Sequence, residues 1–333
     1  MPAVSKFVTT TTQTRLLPKV VDNILDGNVL TMRLLRNATT WRGGTKIDIA
    51  VNLSDITAVG SYFGFDTLAT VQENIRERAS FNPSQYYVAV PISGIQKAIN
   101  QGEPAVINLI AEELKFRTER LRDEMGTDVY GDGTANNSKV LTGLAAVVDD
   151  GGAVVTYGNI SRTAFSNWQA TDTAQSGSLS LADLASDFDA AQRGDEVPTL
   201  MVTTPAVFTI YEALLTPTVS HQFSMNDFRM TGTGIARVGG ALAANQGFRA
   251  LTFRGIPVVA DEKCTSGYLY TLNENHLKFY VIPQPDRTIK NGFGWTGWKE
   301  PVNQDAVVGH LLWYGQLISD SPRTMAERTG ITS

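Results

Sequence analysis

The chain has 333 residues, 42% apolar and 18% charged, with 28 basic against 33 acidic residues and a formal charge of −5. This length exceeds what one core usually supports, so two domains are expected, and the composition excludes wholesale disorder. The negative balance argues against a general nucleic-acid binder. No run of 18 apolar residues offers a membrane span, and the opening MPAVSKFVTT lacks an apolar signal core, so folding in the cytosol is expected.

Residues 1–14 are Thr-rich and aperiodic and read as an extended arm. From Leu16 to Leu35 the residues Leu17, Val20, Val21, Ile24, Leu25, Val29, Leu30 and Leu34 predict one or two short helices, broken at Asp26-Gly27-Asn28. Thr45–Leu53 then alternates, with Ile47, Ile49, Val51 and Leu53 on one face and Lys46, Asp48 and Asn52 on the other. A second strand-like stretch is expected from about Val71 to Pro91. Between the two lies Ser54–Asp66, with Gly60, Gly64 and the aromatics Tyr62, Phe63 and Phe65. A two-stranded ribbon is marginal by itself in water. Alternation sends Glu73 and Glu77 to one side and Arg76 and Arg78 to the other. A projecting ribbon with an apolar tip and such charges wants a neighbouring molecule, which makes these seven residues candidates for inter-subunit contact. The alternative is a hairpin folded back on its own core.

Ser93–Asn100 predicts a short helix that Gly102 ends, and a long amphipathic helix follows from Glu103 to Tyr130. Pro104 suits its first turn, while Val106, Ile110, Leu114, Leu121 and Met125 make the apolar stripe with Ile107 and Phe116 beside it. Opposite charges stand four apart at Glu113/Arg117, Lys115/Glu119 and Arg120/Glu124. About 26 residues at 1.5 Å each give a rod of roughly 39 Å, closed by Gly126, Gly131 and Gly133. Beyond it, Val140–Val148 is apolar, Asp149-Asp150-Gly151-Gly152 is a turn, and Val154–Tyr157 is a short strand. Asn167–Ser178 reads as a polar loop. Leu181–Arg193 reads as helix, Thr199–Thr203 as strand, and a helix opens at Thr204-Pro205 and ends near Leu215. His221–Gly247 is Gly- and Met-rich and reads as a mobile loop. Strands resume at Leu251–Ala260, Gly267–Leu272 and His276–Ile282, and Trp295–Asp320 alternates again. The expected class is α+β, with a mixed α/β region inserted before a strand-rich tail that packs on the rod.

No catalytic constellation emerges. There is no G-x-x-x-x-G-K-[ST] loop and no G-x-S-x-G elbow, and Gly232-x-Gly234 lacks the third glycine of a dinucleotide fingerprint. His221, His276 and His310 stand alone in the sequence and read as ordinary polar or core histidines. Cys264 is the only cysteine, which excludes an intrachain disulfide and a thiolate metal cluster and leaves a small semi-buried filler. Asp128-x-x-x-Asp132-Gly133 lacks the ligand spacing of a twelve-residue calcium loop. No cofactor, metal or catalytic residue is expected.

The order of parts resembles the major capsid proteins of tailed bacteriophages, whose fold is shared with encapsulin shell proteins. Particular stretches resemble theirs too: Leu141-Thr142-Gly143-Leu144; Tyr157-Gly158-Asn159-Ile160-Ser161-Arg162 with Trp168; and Met201-Val202-Thr203-Thr204-Pro205. Phe253-Arg254-Gly255-Ile256-Pro257-Val258-Val259-Ala260-Asp261, the run from Gly267 to Asn273, and Gly315–Arg323 complete the likeness. The resemblance implies an N-terminal arm over 1–38 and an extended β-hairpin loop over 39–92 that reaches over a neighbour. It implies a peripheral domain from 93–130 and 295–322, with a spine helix at 103–130, and an axial domain from 131–294 with 323–333. It implies self-assembly into hexamers and pentamers of an icosahedral shell around double-stranded DNA. The shell would be assembled in the bacterial host cytoplasm with a separate scaffolding protein and a portal protein, and with no membrane. Net negative charge suits a wall that confines DNA without gluing it down. Two departures stand out: no helical scaffolding segment precedes the arm, and no lysine lies between Lys46 and Lys97 to cross-link to a neighbour's asparagine. The rival readings are an encapsulin-like nanocompartment shell and, from another class, a soluble α/β enzyme built around Asp261, Glu262 and His276.

Overall fold

Asn28 opens the first helix, Val29–Arg36, because its side-chain oxygen accepts the Thr31 N–H at 3.1 Å. The computed structural model describes residues 28–94, 116–118, 120–121, 123–222, 250–284, 288–290 and 292–332. The expected arm at 1–14, the first half of the rod at 103–115 and the loop at 223–249 lie outside the described residues. Every described position from 116 to 129 is helical. There Leu121, Met125 and Val129 face the core, as the stripe requires, but Phe116 is 71% exposed and does not join them.

In chain order the strands begin with β1 (Thr39–Thr40), β2 (Ile47–Asn52), β3 (Arg76–Phe81) and β4 (Ser84–Ser93). The single stretch expected over 71–91 is thus two strands with different partners: β3 pairs β2, whereas β4 pairs the late strand that reaches Ser319. Asn82-Pro83 makes the corner, since proline has no N–H for a ladder and biases its predecessor away from regular continuation. The hairpin β5 (Thr156–Tyr157) and β6 (Ile160–Ser161) leads to β7 (Thr171–Gly177). β7 corrects the expected polar loop: its polar, alternately exposed residues form an edge strand parallel to the chain's last strand. The helix Leu181–Ala191, strand β8 (Leu200–Thr203) and the helix Pro205–Gln222 follow, the last running beyond the expected end at Leu215. After the hairpin β9 (Ala250–Phe253) and β10 (Ile256–Ala260) come β11 (Leu269–Leu272) and β12 (Leu277–Val281). The hairpin β13 (Thr288–Lys290) and β14 (Phe293–Trp295), the fourteen-residue β15 (Ala306–Ser319) and β16 (Ala326–Ile331) end the chain.

Twelve of these strands make two six-stranded sheets, and β2–β3 and β5–β6 pair separately as two-stranded ribbons. The first runs β1-β12-β15-β14-β13, with β4 along the other side of β15 from Ser84–Gly315 to Ser93–Ala306. The second runs β7-β16-β11-β8-β10-β9. Among the described strands the chain passes between the sheets twice late on, at 273–276 and at 320–325. At the first crossing Arg33 pairs bidentately with Glu274 at 2.9 and 2.6 Å, tying the first helix to the corner. One large apolar cluster joins the first sheet, the spine helix, the base of the ribbon and one face of the second sheet. A smaller cluster lies under the helices Leu181–Ala191 and Pro205–Gln222. There Arg328 on β16 clamps Asp187 at 2.8 and 2.7 Å and fixes the first of those helices to the sheet.

Candidate interaction site: the projecting ribbon

The ribbon starts from a firm base. Ile47, Val51, Leu53, Ala79 and Phe81 are buried, and Phe81 packs on Tyr157 with ring centroids 5.0 Å apart. The Ser80 N–H donates to the Gly158 carbonyl at 2.9 Å, and Asn167 Nδ2 donates to the Leu53 carbonyl at 2.9 Å. Gly158 has φ +60°, and a Cβ there would stand 2.6 Å from Phe81 Cζ, so only glycine lets ribbon and hairpin approach this closely. Trp168 Nε1 holds the Tyr157 carbonyl at 2.9 Å, and the Tyr157 hydroxyl accepts the Ser319 N–H at 2.9 Å. The base is therefore anchored through Tyr157 to the end of β15.

The hairpin that carries Tyr157 is itself held by Arg162, which is fully buried. Its guanidinium donates to the carbonyls of Trp168, Val154, Ala146 and Val147 and to Asp149 Oδ1 at 3.2 Å. Asp149 also accepts the N–H groups of Gly151, Ala153 and Val154. At the other flank, the Tyr86 hydroxyl on β4 donates to Asp128 Oδ2 of the spine helix at 2.6 Å and accepts the Leu141 N–H at 3.0 Å.

Along the blade, register places Ala50 opposite Arg78 and Asn52 opposite Arg76, so both arginines share the face with Asp48 and Ser80. Arg78 lies 3.9 Å from Asp48, and Arg76 Nε donates to Asn52 Oδ1 at 3.2 Å. Glu77 sits opposite Val51 on the other face, exposed and with no ion-pair partner among the described residues. Glu73 precedes the strand. Its carboxylate accepts the Thr57 side-chain hydroxyl and the Thr57 N–H, the latter at 2.9 and 3.1 Å, and these bonds hold it below the usual carboxylate range. The structure therefore does not gather the four charges together: the arginines share one face, Glu77 the other, and Glu73 clasps its own loop.

The tip is the opposite of the base. Phe63 and Phe65 are 90% and 108% exposed, and Tyr62 is also exposed. Asp66 Oδ2 accepts the Phe63 N–H at 2.8 Å, and Gly64 takes φ +58°, a tight turn that throws both rings outward. Ile56, Val59, Leu68 and Val71 are exposed as well, and sequence reasoning missed them. Their signal was composition: a loop between two strands carries seven large apolar side chains where polar ones are usual.

The other candidates find local employment. Asp261 is buried, accepts the Leu30 and Lys263 N–H groups, and is pushed up by burial. His276 lies elsewhere, with Nδ1 2.7 Å from Asp320 and Nε2 3.5 Å from Glu196, so it is not solitary and the Asp261–Glu262–His276 constellation does not form. Asp132 accepts the N–H and hydroxyl of Thr134. Cys264 is buried, and burial pushes its thiol up, away from thiolate chemistry. Among the described residues no group of three or more His, Cys, Asp or Glu is arranged to hold a metal, and no described helix is long and apolar enough to cross a membrane.

No protein-family model matches this sequence, and no curated protein matches it. Solved structures do. The capsid asymmetric unit of cyanophage A-1(L) aligns with a TM-score of 0.63 at 16% identity, covering 92% of this chain and 94% of that one. The holo-SrpI encapsulin complex of Synechococcus elongatus PCC 7942 aligns at 0.53 and 11% identity, over 90% and 87%. A structure from Mycobacterium phage Bobi aligns at 0.53 and 10% identity, over 90% of each chain. The likeness extends over nearly the whole length of both partners. The chain has the α+β tailed-phage capsid fold that phage capsids share with encapsulins.

Proposed function

We propose that this chain is a structural shell subunit, the major capsid protein of a tailed phage, and not an enzyme. The observation that carries the reading is the ribbon: a base locked into the core and a tip with seven exposed apolar residues, on a fold known from closed shells. Burying one large apolar side chain is worth about 1.5–3 kcal/mol, so the tip stores its free energy for another molecule. Tyr62, Phe63 and Phe65 are the anchoring contacts in this reading, and Arg76, Glu77 and Arg78 set register against an adjacent subunit. Glu73 shapes the loop that presents them. The spine helix with the first sheet would be the peripheral domain and the second sheet with its two helices the axial domain.

In this reading the subunits form hexamers and pentamers of an icosahedral shell in the virion. A separate scaffolding protein, a portal protein and enclosed double-stranded DNA are its partners, and assembly takes place in the host cytoplasm. The test is electron microscopy of the expressed chain, alone and with candidate scaffolding protein, beside Tyr62→Ser, Phe63→Ser and Phe65→Ser combined. Closed particles from the natural chain and none from the variant are expected; a natural chain that stays a small oligomer under every condition overturns the reading. The encapsulin likeness supports a second reading, a nanocompartment shell, and purified particles that hold a protein cargo without DNA would establish it. Lacking a lysine in the ribbon, mature shells are expected to release one monomer band when boiled in detergent, where a ladder would reveal covalent linkage.

A further inference from the structure

Glu327 stands on β16 in the interior of the second sheet, 5% exposed, and its Oε2 has no hydrogen-bond partner among the described residues. Its neighbours in register are Tyr270 on β11 and Asp172 on β7. The Tyr270 hydroxyl is likewise buried without a partner, so two unmet polar groups lie side by side. Tyr268 stacks on Tyr270 at 5.8 Å, and Tyr130, beyond the end of the spine helix, lies 5.9 Å from it. The remaining charged groups that act on Glu327 are Asp149 and Arg162, with Asp150 beside Asp172. Arg162, the one cation of this set, is already committed to Asp149 and four carbonyl oxygens.

An ionised carboxylate at this place is desolvated and flanked by other acids, with only the Tyr270 O–H and the already committed Arg162 to offset them. A protonated one carries no charge and offers its O–H to the Tyr270 oxygen. Burial first, and then the charges of Asp172 and Asp149, push Glu327 up to about 9. We propose that Glu327 and Tyr270 form a proton-held latch: it keeps β16 seated between β7 and β11 while Glu327 carries its proton, and loss of that proton loosens the second sheet. The loosening is local. On the opposite face of β16 the Arg328–Asp187 clamp is untouched, so the helix Leu181–Ala191 stays attached while the face toward Tyr130 relaxes.

The sign follows from the proton count. Between the ordinary glutamate value of 4.5 and about 9 the folded chain holds one proton more than the unfolded chain. Stability from this group is therefore fully present below the ordinary value and falls as pH rises toward about 9, by tenfold in the folding equilibrium for each pH unit.

The experiment is unfolding of the full chain as soluble subunit, from about pH 5.5 to about pH 9 at constant ionic strength, with the natural chain, E327Q and D172N. The natural chain should lose stability with rising pH, and E327Q, which keeps the shape and cannot ionise, should show that slope reduced by up to tenfold per pH unit. D172N lies on the exposed edge and removes a flanking charge, so the decline should end at lower pH. Parallel profiles for the natural chain and E327Q overturn the latch. Should E327Q fail to fold, the infrared carbonyl band of a protonated carboxyl at neutral pH decides in the natural chain: its presence and its shift in D172N support the latch, its absence ends it. Because the readout is on the subunit, the outcome is separate from whether shells form.

Discussion

Around Arg162 the chain buries a charge and meets every donor it carries, whereas between Ile56 and Val71 it leaves seven large apolar side chains exposed. Both arrangements go against the usual sorting of polar outside and apolar inside. They differ in where the compensation lies. The charge is neutralised by Asp149 and capped by carbonyls within the same fold, so that region is complete in one chain. In the proposed reading the tip is compensated by contact with a second molecule. The two are joined through Tyr157, whose ring lies 5.1 Å from the guanidinium of Arg162 and 5.0 Å from the ring of Phe81 in the ribbon base. A finished interior therefore holds out an unfinished surface.

Arg162→Ala should break this comparison most severely. It leaves Asp149 buried without its cation and uncaps four carbonyl oxygens, and removing one partner of a buried pair costs about 3–5 kcal/mol. The expected outcome is loss of soluble subunit or a collapse of the denaturation midpoint. Arg162→Lys should restore little, because an ammonium cannot match the planar fork that reaches five acceptors. Gly158→Ala comes next. The new methyl would meet Phe81 and Ala79 at 2.6 and 3.1 Å from a left-handed backbone, and overpacking of this kind costs about 1–3 kcal/mol. Hydrogen exchange should report it selectively: amides of β2 and β3 lose protection while those of β8 and β11 keep theirs.

How much of this was legible in the sequence divides along the same line. Period-two alternation marked Ile47–Leu53, and the 3.6-residue stripe marked Leu121 and Met125, because both are repeated apolar patterns facing one core. β7 and β16 were hidden. Thr171–Gly177 is polar because its outer edge faces solvent, and Ala326–Ile331 carries Glu327 and Arg328, charges whose place in a buried strand shows only when Asp187, some 140 positions earlier, is brought to Arg328. Such pairings leave no local period. The split of β3 from β4 had a signal in Asn82-Pro83, but the alternation on either side masked it. At the site, the apolar tip was visible as composition. The clasp of Glu73 on Thr57 was not, since nothing local couples residues sixteen apart in an irregular loop.

The smallest effect on the subunit is expected from Arg76→Glu with Arg78→Glu, and that smallness is the point of the test. Arg78 and Asp48 are 3.9 Å apart with side chains 75% and 39% exposed, and the Arg76–Asn52 bond is exposed too. An exposed pair of this kind is worth about 0–1 kcal/mol, so the melting temperature of the lone subunit should barely move. Assembly should move strongly, because reversing two charges on the face turned outward by β2 and β3 sets like against like wherever that face meets an acidic surface, at several kcal/mol per contact. Salt distinguishes this from a packing defect. Raising ionic strength to about 0.5 M shortens the screening length to several Å and should partly restore particles of the double variant. Normal assembly of the variant at moderate salt would show that the arginine face is only solvated, and that the apolar tip alone holds the ribbon to its neighbour.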